Sequence, residues 1–290
     1  MPIATKEISI NKKVSVGGSN PFFLIAGPCV IESKDHAYNL AIEIKQTCEK
    51  LQISFIFKAS YDKANRSSIS SYRGPGLKEG LEILRTIKEE LDIPVLSDVH
   101  ETYQIDEAAK TLDIIQIPAL LSRQTDLIIG AAKTQKPLNL KKGQFSSPYE
   151  MKNAVEKAVS QGNENIILTE RGTFFGYNNL VFDIRSIPIM KNWGFPVVID
   201  ASHSVQKPGG EGTFSGGEAG FIPYIAKAGT SVGADGVFLE VHENPPKARS
   251  DSRNSLKLNE LHNLLLSLQE LKKAADINSN PHWGIIKNDD

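Results

Sequence analysis

The sequence predicts an α/β protein, a closed (β/α)8 TIM barrel carrying an N-terminal β-hairpin, and three observations carry that prediction. Short apolar runs alternate with amphipathic stretches at helical spacing along most of the 290 residues. The units number about eight, the count that closes a parallel sheet on itself at a typical length of roughly 250 residues. No G-x-G-x-x-G follows the first apolar run and no G-x-x-x-x-G-K-[ST] occurs, which argues against an open nucleotide-binding sheet.

The elements follow in order. Ile8 and Ile10, then Val14 and Val16 before Gly17-Gly18, alternate as a hairpin over about residues 7–18. "FFLIAG" (22–27) reads as a buried strand. Ser33 is then placed as an N-cap, ahead of Ala37, Leu40, Ala41, Ile44, Cys48 and Leu51 at helical spacing. "SFIFKAS" (54–60) is the second strand, and a helix bearing Leu77, Leu81, Leu84, Ile87 and Leu91 follows. Further strands are read at "PVLSDVH" (94–100), "DIIQIPA" (113–119), "PLNLKKG" (137–143), "NIILTERG" (165–172), "PVVIDASH" (196–203) and "GVFLEVHE" (236–243). Among the intervening helices, the clearest start is Ser147-Pro148-Tyr149-Glu150, a capping box with proline at N1, before Met151, Val155 and Val159. A last amphipathic helix carries Leu258, Leu261, Leu265, Leu268 and Leu271. No linker or shift of composition divides the chain, so residues 1–290 are expected to form one barrel domain with a peripheral tail from about 274 to 290.

Composition narrows the class of function. A formal net charge of −1 provides no global field to recruit nucleic acid or an anionic membrane. The two cysteines, Cys29 and Cys48, form no disulfide framework and suit a reducing compartment. The N-terminal residues lack an apolar signal core, and no run approaches the roughly 20 apolar residues of a membrane span. A cytoplasmic protein without nucleic-acid or membrane partners is expected.

Function is read from the strand ends, because barrels of this kind carry their sites on the C-terminal face. In order, those ends present Cys29 just beyond strand 1, Lys58, Asp98 with His100, Gln116, Lys141, Arg171, His203, and Glu240 with His242. Each strand begins apolar and finishes polar or ionisable, so the polar groups converge on one rim. Lys58, Lys63, Arg66, Arg123, Lys141 and Arg171 give that rim a local positive bias, suited to phosphate and carboxylate. Cys29, His203, Glu240 and Asp251 follow strands 1, 7 and 8, which become neighbours on closure. A mixed S/N/O set of this kind suits a borderline divalent ion such as Zn²⁺, Fe²⁺ or Mn²⁺. No local spacing motif supports a metal, and on the residues alone Cys29 reads equally as a small buried thiol beside an unrelated histidine.

Five stretches, "FKASYDKANRSSISSYRGPG" (57–76), "SDVHE" (97–101), "IQIPALLSRQTDL" (115–127), "NLKKGQF" (139–145) and "RGTFFGYNNLVFD" (171–183), resemble the 3-deoxy-D-manno-octulosonate 8-phosphate synthases, from about residue 20 to 270. The Lys63–Ser68 loop separates them from the related 3-deoxy-arabino-heptulosonate 7-phosphate synthases. The resemblance implies condensation of phosphoenolpyruvate with D-arabinose 5-phosphate, a step in Kdo and lipopolysaccharide biosynthesis, by a homotetramer. It implies that Lys58, Lys63, Gln116, Ala119, Arg123, Lys141 and Arg171 hold phosphoenolpyruvate, and Asn65, Arg66 and Ser67 the pentose phosphate, Arg66 and Ser67 from a neighbouring subunit. Asp98 and Gln206 complete the expected substrate-binding set, and Lys63, His203 and Asp251 are expected to act in catalysis. Within that family cysteine at position 29 marks metal-dependent members, so Cys29, His203, Glu240 and Asp251 are implied as ligands of Zn, Fe or Mn. The glycines of 207–217 suit a mobile loop over the pocket, whereas Glu218-Ala219 departs from the family pattern. Two other classes are weighed beside this one: a Schiff-base aldolase using Lys58 or Lys141, and a non-catalytic sugar-phosphate sensor.

Overall fold

The computed structural model describes residues 4–209 and 216–277. Eight parallel strands form the ring: β1 (Phe23–Gly27), β2 (Ser54–Lys58), β3 (Val95–Asp98), β4 (Ile114–Ile117), β5 (Leu138–Lys141), β6 (Ile166–Glu170), β7 (Val197–Asp200) and β8 (Gly236–His242). Each pairs with its neighbour in sequence, and β8 returns to β1, which closes the barrel. A short strand, Leu256–Lys257, adds to the end of β8 through Val241 and His242. Among the described residues, eight helices surround the ring: α1 (Lys34–Leu51), α2 (Leu77–Leu91), α3 (Ile105–Thr111), α4 (Thr125–Lys133), α5 (Met151–Val159), α6 (Ser186–Lys191), α7 (Ile222–Ser231) and α8 (Leu261–Ile277).

Local chemistry sets these boundaries. The Ser33 side chain accepts the His36 N–H and starts α1, whose Ala37, Leu40, Ala41, Ile44 and Cys48 face the ring. Before α5, Ser147 and Glu150 exchange backbone-to-side-chain bonds in both directions (2.8 and 3.3 Å), so the capping box forms one turn ahead of the regular helix. At Gly27 a Cβ would meet the Lys58 carbonyl at 2.0 Å. Only glycine lets β1 approach β2 that closely beside Cys29.

Two apolar layers result. Outside the ring, the strands' outward side chains meet the helices. Inside it, Phe23, Ile25, Ile56, Leu96, Ile114, Ile167, Val198 and Phe238 meet Ile8, Ile10 and Val16 of the N-terminal hairpin. That hairpin pairs Glu7–Ser9 with Ser15–Gly17 in antiparallel register and closes the bottom of the barrel. Burying each such side chain contributes about 1.5–3 kcal/mol.

The structure differs from the sequence reading at three strand ends and at the start of the tail. The strand expected at 196–203 stops at Asp200, whose carboxylate accepts the His203 N–H and starts a helical turn, Ala201–Ser204. His203 therefore projects from that turn rather than from a strand. Strands 3 and 4 likewise end at Asp98 and Ile117, leaving His100 and Ala119 in the following turns. The helix expected to give way to a tail at about 274 continues to Ile277, and the rest of that tail lies outside the described residues.

Candidate active site

Above Phe238 the barrel interior changes from apolar to ionic. Lys58 Nζ donates to Glu240 Oε1 at 2.8 Å and to the Cys29 carbonyl at 3.0 Å, tying β2 to β8 across β1. Lys141 Nζ donates to the Asp200 carboxylate and lies 3.7 Å from the Phe238 ring centroid. The aromatic face thus forms a floor that a cation can rest on. Asp98 lies 2.8 Å from His100 Nε2 and also accepts the Ser60 hydroxyl. Gln116 accepts from Asn139, and Asn139 from Thr169 (2.8 and 2.6 Å), a buried amide relay across β4, β5 and β6.

Arg171 stands one residue beyond β6 and is buried. Gly172 follows at φ +86°, a conformation that turns the chain sharply and leaves the guanidinium facing inward. Arg171 Nη2 donates to Gln206 Oε1 at 2.6 Å, and Gln206 Nε2 donates to Asp251 Oδ1 at 2.9 Å. Arg171 Nη1 is buried and has no hydrogen-bond partner among the described residues. A buried donor left unpaired is costly, so an anionic acceptor at this spot would remove a penalty as well as add a bond. Behind Arg171, Lys142 Nζ donates to the carbonyls of Gly143, Ser146 and Gly172 and to Thr173 Oγ1, which clasps the loops after β5 and β6 together.

Four donors meet beside the cations. Cys29 Sγ lies 2.9 Å from Asp251 Oδ2, and one ligand atom each of Cys29, Glu240 and Asp251 lies within 4.8 Å of the others. His203 Nε2 is 3.4 Å from Asp251 Oδ2 and 3.5 Å from Glu240 Oε1, while its Nδ1 is 2.7 Å from Asp200 Oδ2. Glu240 Oε2 is buried and unpartnered. This set fits a divalent ion: thiol, imidazole and two carboxylates converge, one carboxylate oxygen is unsatisfied, and Asp200 is placed to orient the imidazole through its other nitrogen. Asp251 itself has φ 52°, a left-handed conformation, and its carbonyl accepts from the Asn254 N–H and the Ser255 hydroxyl. Backbone held in such a region by its surroundings is a feature of functional sites.

Electrostatics sharpen the picture. Burial, then the Asp251 charge, pushes the Cys29 thiol up to about 12, with Lys63 opposing. Without an ion the sulfur therefore keeps its proton and donates it to Asp251. Burial works against the charged form of Asp98, yet His100, Lys63 and Lys58 hold its carboxyl well below the usual range. Burial opposes charge on Asp200 too, and His203 and Lys141 overcome it. Lys63 is disfavoured by burial but raised overall by Cys29, Asp98, Glu240 and Asp251. Burial lowers Lys141 and Arg171, with Asp200 the main opposing charge in both cases.

Of the residues singled out from sequence, Cys29, Lys58, Lys63, Asp98, Lys141, Arg171, His203, Gln206, Glu240 and Asp251 join in one ionic cluster at the strand ends, with Gln116 in the amide relay beside it. Ala119 is buried in the turn after β4. Arg123 is exposed, and its side chain makes no contact with the cluster among the described residues. Asn65 and Ser67 are exposed, and Arg66 donates to the carbonyls of Tyr72 and Arg249. Of the 207–217 loop, Gln206–Lys207 pairs with Gly216–Gly217, and residues 210–215 lie outside the described residues. Sequence reading missed Asp200 and Lys142. Asp200 ends its strand as Lys58 and Asp98 end theirs, so the strand-end rule would have found it had the strand been stopped correctly.

Fold and site together define a (β/α)8 barrel with a buried polyionic pocket at the strand C-termini, the place where enzymes of this architecture act. The DAHP synthetase I family model matches residues 4–276, and the chain belongs to that family. It is 55% identical over 267 residues to the 2-dehydro-3-deoxyphosphooctonate aldolase of Geobacter metallireducens, a span of 92% of this chain and 98% of that protein. It is 53% identical over 267 residues to the protein of the same name from Geobacter sp. strain M21, covering 92% and 97%. A third, from Cyanothece sp. strain PCC 7425, is 51% identical over 268 residues, covering 92% and 98%.

Proposed function

We propose that this protein condenses phosphoenolpyruvate with D-arabinose 5-phosphate to give 3-deoxy-D-manno-octulosonate 8-phosphate and inorganic phosphate, in Kdo biosynthesis. The name of its relatives, 2-dehydro-3-deoxyphosphooctonate aldolase, denotes that same enzyme. The observation that carries the reading is the convergence of Lys58, Lys63, Lys141 and Arg171, with Arg171 Nη1 buried and unpartnered, beside the four-donor cluster. Phosphoenolpyruvate bears a phosphate of roughly −1.5 to −2 charges and a carboxylate, so several cations are needed to hold it.

In this reading Arg171 and Lys141 take the phosphate, and Lys58 with the Gln116 amide the carboxylate side. The enol carbon attacks the pentose aldehyde, water adds at the enol's second carbon, and that carbon's bond to the bridging oxygen breaks to release phosphate. Lys63, charged throughout, would stabilise the negative charge that develops on the aldehyde oxygen. Phe238 and the interior below it exclude water from beneath. Cys29, His203, Glu240 and Asp251 would hold a Zn, Fe or Mn ion, which supplies Lewis acidity when bound. His203 and Asp251 would in addition orient the groups around the reacting carbons.

The exposed side chains of Phe145, Phe174, Phe175 and Tyr177, on the loops after β5 and β6, support self-association. A homotetramer is the expected state, with Asn65, Arg66 and Ser67 serving the pentose phosphate at the subunit boundary; sedimentation equilibrium checks it. A cytoplasmic location follows from the reaction, and no helix among the described residues is long and apolar enough to cross a membrane.

A phosphate-release assay tests the reading. Release should require both phosphoenolpyruvate and the five-carbon aldose phosphate. A four-carbon aldose phosphate, which the seven-carbon synthases need, should not replace it. One observation favours a second reading: burial lowers Lys141 towards an amine nucleophile, as in a Schiff-base aldolase. Borohydride trapping of a covalent adduct would support that alternative; ligand binding without phosphate release would support a sensor.

A further inference from the structure

Outside the pocket, at the seam between β8 and β1, lies a second group of histidines and carboxylates. Glu32 comes from the β1–α1 loop, His36 from the first turn of α1 and His242 from the end of β8. One ligand atom from each lies within 4.8 Å of the others. The two imidazole rings are 4.8 Å apart between centroids. Glu243 Oε2 lies 3.0 Å from His36 Nε2 and 3.3 Å from His242 Nδ1. The opposite nitrogens, His36 Nδ1 and His242 Nε2, are both buried and have no hydrogen-bond partner among the described residues. His242 is 4% exposed, and its Nε2 stands 3.4 Å from Glu32 Oε1.

An ion-pair cluster alone does not explain these atoms. A protonated His242 would aim its Nε2–H at Glu32, yet that approach makes no hydrogen bond. Two buried ring nitrogens without partners carry an unrecovered desolvation cost. His36 matches the way metal-binding histidines are held: its outer nitrogen meets a carboxylate, Glu243, and its inner nitrogen is left for an ion. The Asn244 N–H donates to His242 Nδ1 at 2.9 Å, so Nδ1 accepts in this structure; binding an ion through Nε2 requires the ring to take the Nδ1–H tautomer and give that proton to Glu243 Oε2, 3.3 Å away.

We propose that Glu32, His36 and His242 form a second divalent-metal site, with Glu243 orienting both rings. Two imidazoles and a carboxylate select a borderline ion of the Zn²⁺ class over Mg²⁺ or Ca²⁺. The site's place in the fold gives it a role. Glu32 Oε1 accepts the Arg249 N–H at 2.8 Å, and Arg249 lies two residues before Asp251. The Arg249 guanidinium rests 4.6 Å from the Tyr72 ring centroid, and the Tyr72 hydroxyl donates to the Ile31 carbonyl. An ion on Glu32 therefore fixes the loop that carries Asp251 against the loops after β1 and β2.

Zinc stoichiometry of the full-length protein tests the site, measured by elemental analysis and by titration against a chromophoric chelator. Wild type is expected to bind two ions per protomer, Cys29→Ala and His36→Gln one each, and the double variant none. With Co²⁺, only the Cys29 site gives thiolate-to-metal charge-transfer absorption, so His36→Gln should keep that band while binding half as much metal. Should His36→Gln fail to show the wild-type circular dichroism and thermal transition in the metal-free state, Glu32→Gln serves in its place. Wild-type stoichiometry in a folded His36→Gln or Glu32→Gln, or no bound ion in Cys29→Ala, overturns the proposal. A Cys29→Ala variant that binds as much metal as wild type defeats the pocket's metal instead and leaves the second site standing.

Discussion

At the hairpin end of the barrel, Ile8, Ile10 and Val16 close over the apolar beginnings of the strands. At the other end the same strands finish in Lys58, Asp98, Lys141, Glu170, Asp200 and Glu240, all of them buried. Both ends exclude water, but by different means. The lower end is held by apolar burial, where each side chain contributes on its own. The upper end is held by mutual pairing, where a buried charge is tolerable only beside its partner and removing one member strands the other. Stability and chemistry are thus separated along the barrel axis, and changes at the two ends should affect different measurements.

The largest separation is expected from metal. Chelation should abolish activity while leaving the thermal transition largely in place, and added divalent ion should restore turnover; activity assays paired with calorimetry check both. Cys29→Ala should resemble the chelated enzyme, and Cys29→Asn is the variant in which metal-free turnover could survive. Because the free thiol titrates at about 12, binding must displace its proton. Metal affinity should therefore weaken by about tenfold for each unit of falling pH.

Next in size, Arg171→Ala should weaken phosphoenolpyruvate binding by about 2–3 kcal/mol, the range for a charge-assisted contact. Some loss of thermal stability should accompany it, because Arg171 Nη2 also holds Gln206 Oε1. Isothermal titration and a melt on the same sample measure the two halves of this expectation. An unchanged affinity would remove Arg171 from the phosphate site.

The converse variant is Ile8→Ala, at the lower end. It should cost about 2–5 kcal/mol of stability by denaturant unfolding, with KM for both substrates unchanged in the folded fraction. A large KM change would mean that the ends are coupled.

The narrowest effect, confined to alkaline pH, belongs to Cys48 on α1. Burial, then Glu49, pushes this thiol up to about 12 from 9.0. A folded-state value above the unfolded one gives stability that is complete below about pH 9 and is lost as pH rises towards 12. The stability difference between wild type and Cys48→Ala should accordingly shrink over that window in metal-free protein.

How much of this was legible in the sequence follows the same division. Apolar periodicity is a local signal, so the Phe23–Gly27 strand, the Ser33 cap, the hairpin and the closing of eight units were all readable. The rule that strand ends face one rim also recovered most of the pocket. Asp200 escaped because a helical turn beginning at Ala201 leaves no apolar signature distinct from the strand. Lys142 escaped because its partners are loop carbonyls, two in its own loop and one in the loop after β6, which no side-chain pattern encodes. His242 was read into the rim from its strand position; the structure instead turns it to Glu32 and His36, a pairing that depends on the α1 entry angle. Arg123 has the right residue type and lies in the right loop, yet its side chain faces outward. Pairing across loops is a three-dimensional fact, and residue type alone underdetermines it.

The most direct measurement labels phosphoenolpyruvate with ¹⁸O at the bridging oxygen and follows the label during turnover with D-arabinose 5-phosphate. The proposed chemistry breaks the carbon–oxygen bond, so the released inorganic phosphate should carry the label and the eight-carbon product should take its new oxygen from water. Unlabelled phosphate with the label retained in the organic product, or no phosphate release when both substrates and divalent ion are present, would contradict it.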